Sequence, residues 1–103
     1  MKLFLSSLLV LSSTSLAMAQ MSLEVMQRAT GLATVISNAA HCGYAINQDA
    51  LRSYYSKAEL DTAEALAFVD AQVSNSKMLG EKPTASQCTI AEVTGRTLGV
   101  VAQ

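Results

Sequence analysis

Apolar and polar positions recur along this chain with the period of a helix rather than a strand. From about Leu23 to Cys42, Val25, Ala29, Leu32, Ala33, Ile36, Ala39 and Ala40 fall on one stripe when wound at about 100° per residue, with Met26 at its edge. Glu24, Gln27, Thr30, Thr34, Asn38 and His41 fall on the other side. Ser22 is placed to cap the first turn, and Glu24 suits the positive end of the helix dipole. Gly43 is a natural stop, because glycine adopts the left-handed conformation that closes a helix.

A short second helix is expected from Asn47, as cap, to about Ser56, with Leu51, Tyr54 and Tyr55 on one face. Two capping boxes then compete to open a third: Ser56-Lys57-Ala58-Glu59 and Asp61-Thr62-Ala63-Glu64. Ala58, Ala65, Leu66, Val69 and Val73 line one side of that helix, and Phe68 lies well off the stripe. Gly80 and Pro83 end it.

Thr84-Ala85-Ser86-Gln87 reads as the capping box of a fourth helix running almost to the end of the chain. This helix is apolar on two sides: Cys88, Ala91, Gly95, Leu98, Gly99 and Ala102 on one, and Ile90, Val93, Thr97, Val100 and Val101 on the other. Glu92 and Arg96 are spaced i,i+4 with the acid first, the favourable order. The β-branched residues also suit a strand, and each interior glycine costs a helix about 1 kcal/mol. Length and capping nevertheless favour the helix. The expected fold is all-α, a small bundle of about four helices.

The start of the chain changes the picture of where such a bundle would reside. Lys2, the apolar run Leu3 to Leu11 and the small-x-small site Ala17-Met18-Ala19 fit a Sec signal peptide over 1–19, cleaved before Gln20. The apolar run falls short of the roughly 20 residues of a membrane span, so no stable span is expected after cleavage. The remaining residues, 20–103, are read as one helical domain. Its six Lys and Arg against eight Asp and Glu are scattered, giving a net charge near −2. No basic cluster offers a footprint for nucleic acid. The expected location is periplasmic or secreted.

In an oxidising compartment the two cysteines, Cys42 and Cys88, are read as one intrachain disulfide. It would set the end of the first helix beside the start of the fourth. The first helix's Ala/Leu stripe could then meet the Ala91/Gly95/Leu98 face. One tension is visible, because Cys42 projects off that stripe, so the helix is expected to fray or turn there.

The residue inventory argues against an enzyme. His41 is the only imidazole and lies on the polar side of its last turn. No G-x-S-x-G elbow, zinc-ligand spacing, phosphate loop or dinucleotide fingerprint occurs. No catalytic residue, metal site or cofactor is expected. What stands out instead is an aromatic and apolar set that could form an interaction surface: Tyr44, Tyr54, Tyr55, Phe68, Ile90, Val93, Val100 and Val101.

In layout the chain resembles small two-cysteine helical proteins of the Gram-negative periplasm, namely acid-stress chaperones and helical immunity proteins. The resemblance covers size and a single disulfide between distant helices, and no functional motif carries over residue by residue. It implies a stress holdase or an inhibitor of a periplasmic toxin as alternatives to the reading the residues themselves favour. That reading is an exported, non-enzymatic module that binds another periplasmic protein or a second copy of itself.

Overall fold

A computed structural model describes residues 21–102. The expected leader, 1–19, and Gln20 and Gln103 lie outside the described residues. Among the described residues the fold is all-α, with four helices: α1 Leu23–Cys42, α2 Gln48–Lys57, α3 Ala63–Leu79 and α4 Ala85–Leu98.

Local chemistry sets most of the boundaries. Ser22 and Asn47 each accept a backbone N–H three residues on, at 3.1 and 3.0 Å. Thr84 and Gln87 form a reciprocal capping box: the Gln87 N–H donates to Thr84 Oγ1 and the Thr84 N–H to Gln87 Oε1. Gly43 and Gly80 close α1 and α3 with positive φ, as their positions in the sequence suggested. Of the two boxes competing to open α3, the first is not used, since Ser56 and Lys57 still belong to α2. The working cap is Thr62, one residue past the acid of the second box. The turn between α2 and α3 runs through Glu59 at φ 62°, a left-handed conformation that glycine would adopt more readily.

The central element is α1, which packs against α3 and against α4 on two adjoining sides. Its buried residues are Ala29, Leu32, Ala33 and Val35, an arc wider than the single Ala/Leu stripe read from the sequence. Val35, absent from that stripe, faces α4. Cys42 lies seven residues later, within about 20° of Val35 around the helix axis at 100° per residue. The expected fraying at Cys42 is therefore unnecessary: α1 stays helical through Cys42 because this second face already points at α4. The disulfide joins Cys42 to Cys88 with Cα atoms 5.3 Å apart. Since Cys42 meets Cys88 and Val35 lies at Gly95, α4 runs antiparallel to α1.

The largest departure from the sequence reading is at the end of α4. The helix stops at Leu98, with Gly99 at φ 81°, instead of running almost to the terminus. The chain then doubles back. The Gly95 carbonyl accepts from the N–H groups of Val100 and Val101, at 3.0 and 3.3 Å. Asn47 N–H donates to the Val100 carbonyl at 2.8 Å and Ala102 N–H to the Ala45 carbonyl at 3.2 Å, forming one antiparallel bridge between Ile46 and Val101. This reversal carries Val100 and Val101 into the core with Leu32, Leu60 and Val69. Burying side chains of this size stabilises a fold by about 1.5–3 kcal/mol each.

A candidate binding groove on the central helix

Because α3 and α4 both lean on α1 without packing extensively on each other, a groove opens between them. It is a cavity of about 430 Å³. Its floor is α1, through Gly31, Thr34, Val35 and Asn38. One wall is the end of α3 with Ser76 and Leu79, the other the first part of α4 with Gln87, Ile90, Ala91 and Thr94. Glu81, Lys82 and Pro83 of the connecting loop close one end. That volume lies in the range of small-ligand sites, about 300–1,000 Å³. Gly31 makes the floor deep, since a methyl group there would meet nothing within 4 Å.

The lining is mixed rather than oily. Hydroxyl and amide groups come from Thr34, Asn38, Ser76, Gln87 and Thr94, and exposed apolar surface from Leu79 and Ile90, which are 64% and 66% accessible. Thr34 returns its hydroxyl proton to the Thr30 carbonyl at 3.0 Å, leaving its oxygen able to accept. The two charged groups at the end, Glu81 and Lys82, are of opposite sign. Such a lining suits a largely uncharged partner with both apolar and hydrogen-bonding groups.

The residues read from the sequence as one interaction surface are divided by the fold. Val100 and Val101 are core residues, at 0% and 5% accessibility, because the chain reverses at Gly99. They are not on an outer face of α4. The aromatic residues are half-buried against the core. Tyr44 donates its hydroxyl to the Val35 carbonyl and thereby ties the turn after α1 back onto α1. Burial raises the pKa of its hydroxyl above the usual 10, and the nearby Glu92 adds to that. Burial also raises those of Tyr54 and Tyr55, opposed at Tyr54 by Arg28 and reinforced at Tyr55 by Asp70. All three hydroxyls are therefore neutral at neutral pH.

Tyr55 also lines a smaller groove of about 350 Å³, with Ile36, Leu66, Val69, Asp70 and Val73 between α1 and α3. Phe68 packs on the core from α3. Only Ile90 and Val93 of the original set are well exposed, and only Ile90 reaches the large groove. Of the floor residues, the sequence reading puts Thr34 and Asn38 on the polar side of the first helix and Gly31 and Val35 on neither side. A glycine among them, at the helical spacing Gly31, Thr34, Asn38, was the available signal of a depression.

His41 is exposed at the end of α1, and both cysteines are joined in the disulfide. Among the described residues no three His, Cys, Asp or Glu side chains come together as a metal site would require. No helix among them is long and apolar enough to cross a membrane. No known protein family, curated protein or solved structure gives a significant match to this chain.

Proposed function

We propose that this chain is an exported, non-enzymatic binding module and that the groove on α1 receives its partner, another exported protein or a second copy of the chain. The observation that carries the reading is the groove itself: a cavity of about 430 Å³ with neutral polar groups on its floor and exposed Leu79 and Ile90 on its walls. The location rests on the leader-like start of the sequence and on the disulfide, which persists in an oxidising compartment such as the periplasm. A non-catalytic role is supported by the placement of the reactive residues. The sole histidine stands in solvent at a helix end, outside the groove, and neither cysteine is a free thiol.

Gly31→Arg provides the test. The new side chain would enter open space and fill the groove, while replacing a helical glycine with a good helix former. A photo-crosslinker at Ile90, compared with one at the exposed Arg52 on α2, reports what occupies the groove in the exporting cell. The expected result is an adduct from Ile90 and not from Arg52, lost in Gly31→Arg without loss of thermal stability. Equal labelling from both positions, or an adduct indifferent to Gly31→Arg, overturns the reading.

A further inference from the structure

The first half of α4 forms a groove wall, yet almost nothing apolar holds it in place. Ala85, Ser86, Gln87, Thr89 and Ile90 are all exposed, and Cys88 is half-buried. Burial of α4 begins only at Ala91 and continues at Gly95, which lies against Val35 and Val101. The linker before α4 adds little, since Leu79, Gly80, Glu81 and Lys82 are exposed and Pro83 is half-buried. The capping box is internal to α4 and fixes nothing to α1.

We propose that the Cys42–Cys88 disulfide is a redox-sensitive latch on the groove. While the bond is intact, the segment from Ala85 to Ile90 stays on α1. When it is reduced, that segment detaches and frays, and the rest of the domain stays folded. Without the bond that segment is held only by its own helical hydrogen bonds and the Thr84/Gln87 cap, with every residue but Cys88 exposed. The groove loses Gln87 and Ile90 and with them half of the residues of one wall.

The chemistry is thiol–disulfide exchange with a dithiol reductant. A reductant thiolate attacks one sulfur of the bond, forming a mixed disulfide and expelling the other cysteine as a thiolate. The reductant's second thiol then displaces the first cysteine. Two electrons and two protons pass to Cys42 and Cys88, which become thiols, and the reductant becomes a disulfide. Both cysteines are half-exposed, so a small dithiol can reach them. The latch does not depend on what the groove binds.

Amide hydrogen exchange on the purified protein, oxidised and then reduced with a dithiol, tests the proposal. The reporters are the amides of Cys88 to Ala91 at the latched end. They are compared with those of Asn47 and Val100, which bond to the Val100 and Gly95 carbonyls at the other end. Both groups should be protected when oxidised. On reduction, protection at Cys88 to Ala91 should fall below about tenfold while Asn47 and Val100 stay above about 100-fold. Cys42→Ser/Cys88→Ser should behave as the reduced chain does. Protection kept at both ends after reduction overturns the latch. So does its loss at both ends, including failure of the reduced chain and the serine variant to fold, because the bond would then hold the whole domain rather than one segment.

Discussion

The two ends of α4 are held to α1 by different means. At the start, one covalent bond joins two half-buried residues. At the finish there is no covalent link. A glycine lets the helix approach Val35, and the chain folds back so that Val101 fills the space a side chain at position 95 would have taken. The first attachment is a point; the second is a surface, with hydrogen bonds to Asn47 and Ala45. The groove runs along α4 from Gln87 to Thr94, between these two attachments.

The comparison can be tested by weakening each end in turn. The largest effect is expected from Cys42→Ser/Cys88→Ser. Opening a loop with a sequence separation of 46 should lower stability by about 4 kcal/mol on the chain-entropy estimate. Urea unfolding of the oxidised protein and the variant gives the number, and a loss under about 1 kcal/mol would show that the covalent end matters little.

Next comes Gly95→Val at the packed end. Its Cβ alone would stand 2.9 Å from Val35 Cγ1 and closer still to Val101, so a loss of about 1–3 kcal/mol is expected in the same assay. If the variant matched the parent, the close approach would not be holding this end. Thr84→Ala removes the cap that organises the latched end and should cost about 1 kcal/mol. A thermal melt of the oxidised variant measures it, and no shift would mean that the bond alone orders this turn. The smallest effect belongs to Ile90→Ser. The side chain is 66% exposed, so stability should change by no more than about 0.5 kcal/mol. A loss of 2 kcal/mol or more would place Ile90 in the core and remove the groove wall as described.

The same contrast explains what could be read in the sequence. Helix beginnings depend on side chains within three residues of the cap, and Ser22, Asn47 and the Thr84/Gln87 pair were all legible. The start of α3 was ambiguous because two overlapping local signals compete, and choosing between them requires Leu60 to be buried, which is a tertiary fact. Gly43 and Gly80 are followed by changes of pattern and read as stops. Gly99 is followed by two valines that continue the apolar pattern, so it read as helix interior. Its role is decided by Ile46, Asn47 and Ala45, more than fifty residues away.

The groove was illegible for a related reason. A single stripe describes a helix with one neighbour, whereas α1 has two, and the gap between those neighbours lies over Gly31, Thr34, Val35 and Asn38, none of which belongs to that stripe. The aromatic cluster suggested a surface because rare large residues stood together. The fold uses Tyr44 as a tie to the Val35 carbonyl and sets Tyr54, Tyr55 and Phe68 at the core's edge.

The reversal at Gly99 also has a consequence in time. α1 and α3 both precede Val100 and Val101 in the chain, so the two helices are complete in sequence before the residues that close the core over them. The core, however, stays open on one side until Val100 and Val101 arrive to close it. A chain truncated by even a few residues before that point presents an unfinished apolar surface. Completion of the fold is therefore tied to the arrival of residue 101.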